Sequence, residues 1–311
     1  MHLKQHTLKT EVSCTGIGLH SGKKVNMLLR PADPDTGVTF KRTDLPGAAL
    51  IPGDVHHVVD TRLCTTVGND DGVTVSTVEH LMSALAALGV DNVLVEVDSP
   101  EIPIMDGSAA PFAFIIKGAG LARQSRNRLY YMVKRPISLS EGDKRVTLTP
   151  AAELGVNFTI EFDHPLIRRQ HISFHFNEKS YEKDISRART FGFLEDVRWM
   201  QENNLALGGS LDNAVMVDKF RVLNEDGLRF PDEFVRHKVL DLIGDLALVG
   251  RPVIGGFTAF KSGHELNNKL FRKFLADPQA WQLTSLREAP LPAAASAPAP
   301  GPAPMLEPAA A

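Results

Sequence analysis

Residues 231–250 run Pro-Asp-Glu-Phe-Val-Arg-His-Lys-Val-Leu-Asp-Leu-Ile-Gly-Asp-Leu-Ala-Leu-Val-Gly and carry the side chains best placed for chemistry. His237, Asp241 and Asp245 fall at i, i+4 and i+8. On a helix this spacing stacks them on one face, about 6 Å apart per step. A histidine and a carboxylate one turn apart can point at one metal ion, in the manner of the His-x-x-x-His pair of zinc hydrolases. Two ligands do not complete a site, and the plainer reading is a partly buried helix whose polar groups bond to their neighbours. A third ligand must come from elsewhere. Glu79-His80 is the candidate. Ser76 and Glu79 have capping-box spacing, so Glu79 would on that reading only satisfy an amide at a helix start. His80, however, sits in the first turns of an otherwise apolar helix, a poor place for an imidazole without a partner.

Several elements must position these side chains. Apolar spacing and flanking Gly, Pro and acidic residues predict helices over residues 76–88, 109–117, 194–204, 231–249 and 265–276. Asp106 and Ser108 are placed to cap the second of these. Residues 6–30 read as strand, turn, strand. Further strands are expected over 37–42, 62–67, 73–75, 92–97, 129–133, 137–139, 145–149, 156–162, 172–176, 213–217 and 253–260, with 181–192 carrying a strand-like segment. Each half therefore contains several strands and then a helix with an early Val-x-His, Val78-Glu79-His80 and Val235-Arg236-His237. The expected fold is α+β: two similar domains, each a mainly antiparallel sheet with helices on one face, the helices packed together between the sheets. A cleft between them would bring His80 near His237. The expected domains are 1–125 and 126–287, divided in the polar, basic stretch 118–127. Residues 288–311, rich in Ala and Pro, are expected to form no packed core.

Composition narrows the function classes. The 311 residues are 43% hydrophobic with a formal net charge of -3, so no basic bias argues for nucleic acid as the main partner. Neither a signal-peptide core nor an apolar run of spanning length is seen, which predicts a cytoplasmic protein. The two cysteines, Cys14 and Cys64, are too few for a disulfide framework and lack zinc-type spacing.

Six segments stand out: Thr15-Gly16-Ile17-Gly18-Leu19-His20-Ser21-Gly22, Ser76-Thr77-Val78-Glu79-His80-Leu81-Met82-Ser83-Ala84-Leu85, Asp106-Gly107-Ser108, Arg189-Thr190-Phe191-Gly192, His237-Lys238-Val239-Leu240-Asp241-Leu242-Ile243-Gly244-Asp245 and Gly263-His264. Together they are similar to the UDP-3-O-acyl-N-acetylglucosamine deacetylase family, zinc amidases of lipid A synthesis. No one segment is specific alone, but they occur in order between about residue 3 and about residue 275. The tail lies outside the pattern.

The resemblance implies one catalytic zinc ion per chain, held by His80, His237 and Asp241, with a fourth position for water. It implies Glu79 as general base and His264 as either general acid toward the leaving amine or a cation stabilising the anionic intermediate. Asp245 would orient His264, and Thr190 would donate to the developing oxyanion. The implied substrate is a UDP-linked acylated glucosamine, whose C2 acetamide is hydrolysed; no obligate protein partner is implied. Phe162 would stack near uracil and Lys238 would meet the nucleotide, with Lys144 and His20 nearer the sugar and diphosphate. Glu161 departs from the pattern, where Asp is common, and puts the uridine contact in doubt. Leu19, Phe191 and Phe193 would line the acyl-chain side, although core packing equally explains the phenylalanines, and Cys64 would lie near zinc. Two other readings use the same residues. His-x-x-x-Asp also occurs in coenzyme A-dependent acyltransferases, but usually before Gly, where Leu242 stands here. A metal-stabilised nucleotide-sugar binding protein would need no base beside the water.

Overall fold

The computed structural model describes residues 2–286, and two five-stranded sheets in it share one plan. In the first, Val12–Ile17, Lys24–Pro31, Val93–Val97, Val38–Arg42 and Ile51–Pro52 lie side by side in that order. In the second the order is Ile137–Glu141, Lys144–Thr149, Gly256–Phe260, Gly155–Glu161 and Arg169–His175. Each sheet has two antiparallel outer pairs around a central strand that comes last in the chain. That strand is antiparallel to one neighbour and parallel to the other. A parallel neighbour requires a crossover, and each crossover contains a helix: α1 (Glu79–Leu88) in the first half, α5 (Glu233–Ala247) in the second. A second helix follows each central strand, α2 (Ala110–Ala119) and α6 (His264–Leu275). The remaining helices are α3 (Glu178–Asp184) and α4 (Leu194–Glu202).

Alternation sets which way each sheet faces. Val25, Met27 and Leu29 are buried on one strand of the first sheet, and Val156, Phe158 and Ile160 on one strand of the second, while the residues between them are exposed or half-buried. One face of each sheet thus meets solvent and the other meets helices. Helices α1 and α5, buried along most of their length, lie between the sheets and pack on each other, as the sequence predicts for its central layer. Their backbones nearly touch at Gly244. A Cβ there would lie 2.7 Å from the carbonyl carbon of Glu79 and closer still to its oxygen.

Four local expectations are corrected. The stretch 118–127 is mostly a strand, Leu121–Asn127, antiparallel to Lys4–Leu8, so the expected division at 125/126 falls inside a strand; its exposed polar side chains disguised it. The next strand, Leu129–Val133, joins a different sheet with Val253–Ile254 and Trp281–Ser285. The expected strand 253–260 is broken at Gly255, where a Cβ would sit 2.5 Å from Val133 Cγ2, and its two pieces enter different sheets. Residues 181–192 are not one strand. Asn177 and Ser180 form a capping box for α3, and buried Tyr181, Ile185 and Ala188 have helical spacing. Only Phe191–Phe193 is extended, pairing in parallel with Val215–Val217. Within 62–67 the ladder begins at Thr66, because Leu63 takes the left-handed region at φ 68°. The Ala- and Pro-rich residues 288–311 lie outside the described residues.

A buried ion pair ties the segment before Phe191 to the first turn of α5. Glu233 is fully buried and accepts from the Arg189 amide (3.0 Å), Arg189 Nε (2.9 Å), Arg189 Nη2 (3.1 Å) and the Arg229 amide (2.6 Å). Burial by itself would raise the Glu233 pKa, but these hydrogen bonds outweigh it and hold the carboxyl below its ordinary range. The pair's contribution is therefore present above the unfolded-state value of about 4.3 and is lost as pH falls through the folded one. Glu233→Gln should destabilise the protein by about 3 kcal/mol at pH 7, because it strands a buried guanidinium. Urea unfolding checks this, and the gap between parent and variant should narrow in acid.

Candidate active site

Helix α1 begins without a capping side chain. Val78 is its N-cap residue, and Thr77 before it has φ 59°. Ser76 Oγ bonds to Thr66 Oγ1 (3.0 Å), so the expected capping box with Glu79 does not form. Glu79 turns inward instead, where its Oε2 accepts the amide of Thr65 (3.1 Å). His80, one residue on, meets α5. Its ring centroid lies 5.0 Å from that of His237, and the two rings are nearly perpendicular.

His80, His237 and Asp241 form a buried cluster whose ligand atoms all lie within 4.8 Å of one another. Asp241 Oδ1 is 3.2 Å from His237 Nε2 and 3.5 Å from His80 Nε2, yet it makes no hydrogen bond. His237 Nδ1 lies 3.1 Å from the carbonyl of Ala188, and a carbonyl only accepts, so Nδ1 carries the proton. Burial lowers the His237 pKa to about 4, although Asp241 opposes this, so the ring is neutral and Nε2 bears a lone pair. Burial also works against the charge on Asp241, but the positive Lys238 beside it helps hold the carboxyl well below its ordinary value. A lone pair and an ionised oxygen thus face each other in a buried space, an arrangement that a divalent cation satisfies. Lys238 Nζ holds the other oxygen, Asp241 Oδ2, at 2.7 Å.

His264 opens α6 and stands on the other side of the cluster. Its Nε2 is 3.7 Å from Glu79 Oε1 and 3.9 Å from Asp241 Oδ2, while Nδ1 is 2.9 Å from Asp245 Oδ2. Burial opposes its positive charge, but the Asp245 carboxylate raises its pKa to about 9. Burial raises the pKa of Glu79. One side chain is thus held as a cation and a nearby carboxyl is made more basic.

These groups open onto a cavity of about 380 Å³. Of the residues singled out from sequence, Leu19, His20, Cys64, Glu79, His80, Lys144, Glu161, Phe162, Thr190, Phe191, His237, Lys238, Asp241 and His264 line it. Asp245 and Phe193 do not. Asp245 lies behind His264, and Phe193 packs behind Phe162 with ring centroids 5.7 Å apart. Thr190 is fixed by its backbone, whose amide donates to Gly107 and whose carbonyl accepts from Val215. Burial pushes the Cys64 thiol up to about 12, with help from Glu79, so it stays protonated at neutral pH. Both ring nitrogens of His20 are buried without a partner.

Sequence reasoning missed Lys261, Ser262, Leu63 and Thr77 on the cavity wall and Thr65, Asn267 and Glu101 behind it. Lys261 could have been found from its place beside Gly263-His264. Glu101 could not. It accepts from the amides of His20 (2.9 Å) and Ser21 (3.0 Å) and from Thr77 Oγ1 (3.1 Å), joining three segments remote in sequence.

Buried metal-ligand geometry beside a basic carboxyl and a charged histidine defines the class as metal-dependent hydrolase. Residues 5–276 match the sequence profile of the family described as UDP-3-O-acyl N-acetylglycosamine deacetylase, and the chain belongs to that family. It is 50% identical over 291 residues to the UDP-3-O-acyl-N-acetylglucosamine deacetylase of Shewanella oneidensis, covering 93% of this chain and 95% of that protein. The protein of the same name from Shewanella baltica (strain OS185) is likewise 50% identical, with the same coverage.

The His264 ring should titrate near pH 9 when followed by NMR in the metal-free protein. Asp245→Asn should bring it down to its ordinary 6.5 or lower, because burial then acts with less opposition.

Proposed function

We propose that this protein hydrolyses the N-acetyl group of UDP-3-O-acyl-N-acetylglucosamine, releasing acetate and the free amine, in lipid A biosynthesis. The observation that carries the reading is the unpaired Asp241 Oδ1, set between two imidazole nitrogens and flanked by Glu79 and His264. His80, His237 and Asp241 would hold one zinc ion, which when bound supplies Lewis acidity, lowering the pKa of water to about 7 and polarising a carbonyl. Two imidazoles and a single carboxylate suit zinc better than the oxygen-preferring cations.

The chain's own groups then divide the work. Glu79, buried and raised in pKa, takes the proton of the attacking water. His264, cationic and held by Asp245, gives a proton to the departing amine. Thr190 lines the cavity, and its hydroxyl would donate to the oxyanion. Lys238, Lys144 and His20 provide the basic and polar wall for the sugar and diphosphate, and Phe162 with Glu161 meets the uridine end. Leu19 and Phe191 form the apolar side toward the acyl chain, and Phe193 backs it from outside the cavity wall, with Phe191 and Phe193 packed edge-on and tilted against Phe162. Cys64 stays an inert thiol beside the centre. We propose two units, 1–125 and 126–287, with the strand Leu121–Asn127 spanning the division. No helix of the described residues is long and apolar enough to cross a membrane, which is compatible with the cytoplasmic location we propose.

Protein purified without added metal should carry about one zinc per chain. It should release acetate from the UDP-linked acyl-glucosamine until a chelator is added. Activity without bound metal would overturn the ligand assignment. Glu79→Gln should keep its zinc while kcat falls at least about 100-fold, the usual scale for loss of a general base; an unchanged kcat would remove Glu79 from that role.

A further inference from the structure

We propose that Thr65 is a positioning residue that sets the separation of Glu79 and His264, an inference that rests on those two as the proton-transferring pair. Thr65 is 1% exposed and is absent from the cavity wall, so it acts only through other residues. All three of its polar groups are committed. Its carbonyl accepts from the amide of Val78 (3.2 Å), at the start of α1. Its amide donates to Glu79 Oε2 (3.1 Å). Its hydroxyl lies 2.8 Å from Asp245 Oδ1, and because an ionised carboxylate only accepts, the hydroxyl must donate.

These bonds form two arms whose ends face each other across a gap. From Thr65 one arm runs to Glu79, and the other runs through Asp245 to His264 Nδ1 (2.9 Å). The far nitrogen of His264 then faces Glu79 Oε1 at 3.7 Å. Asn267 steadies the second arm, donating to Asp245 Oδ2 (3.0 Å) while it accepts from Ser262 Oγ (2.6 Å). Glu79 belongs to the first half of the chain, and Asp245 and His264 belong to the second. Among the described residues, Thr65 is the one that donates to both Glu79 and Asp245. Without its hydroxyl, Asp245 keeps His264 and Asn267 but loses the link to the segment that holds Glu79. Proton transfer depends steeply on such placement.

The test uses the zinc-loaded full chain with Thr65→Val, Thr65→Ser, Asp245→Asn, the Thr65→Val/Asp245→Asn double variant and Glu79→Gln, measuring bound zinc, kcat and KM for each. Thr65→Val is expected to keep its zinc and a KM within about twofold of the parent while kcat falls roughly 10- to 100-fold, the scale seen for outer-shell partners. Thr65→Ser should restore kcat to within about threefold, and the double variant should be no slower than Asp245→Asn alone, since both act along one arm. A parental kcat in Thr65→Val, an equally slow Thr65→Ser, a loss explained by lost zinc or raised KM, or multiplying losses in the double variant would each overturn the inference. Thr65→Ala gives the same comparison should Thr65→Val fail to fold. An inactive Glu79→Gln beside a fully active Thr65→Val sinks this inference alone, whereas a fully active Glu79→Gln sinks the reading beneath it.

Discussion

Two helices from different halves of the chain cross with their backbones almost in contact, and the rest of the site depends on that crossing. Gly244 makes it possible, since any side chain there would collide with the carbonyl of Glu79. Three residues before Gly244 lies Asp241, and one residue after the Glu79 backbone lies His80. The closest approach of the helices therefore lies beside the paired side chains. A wider crossing would separate His80 from His237 and Asp241 and break up the cluster.

The charge balance follows from the same closeness. Glu79, Asp241 and Asp245 are all buried within one small region, where isolated carboxylates are costly. Lys238 and His264 offset part of that charge, and each is placed by the helix that carries a carboxylate or by the helix packed on it. The remaining imbalance sits at Asp241 Oδ1, between the imidazole nitrogens of His80 and His237. Electrostatics and geometry thus call for a cation at one point, and each argument stands without the other.

The central layer of the fold was legible in the sequence because periodicity is local. The i, i+4, i+8 face of α5 and the apolar run of α1 announce themselves within single turns, and the resemblance of six short segments supplied the order of the rest. What could not be read were bonds between remote residues. Thr65, Asn267 and Glu101 look like ordinary loop or helix residues until the fold brings their partners near. The strand 121–127 was hidden by its polar side chains, and Ser76 and Glu79 had capping-box spacing but found other partners. In that last case tertiary contacts overrode a local rule, as is common where polar groups serve a site.

The shared topology of the two sheets has a consequence for the order in which the molecule matures. Each half can in principle complete its own sheet from its own strands, but neither half contains all three of His80, His237 and Asp241. On the proposed assignment, the ligand set is complete only where the two halves pack through α1 and α5. An ion that prefers the complete set therefore binds the docked state and no earlier one, and its binding free energy appears as cohesion between the halves. Metal loading in such a protein reports on completed assembly, and a chain stalled with one half unfolded would be unable to retain the ion.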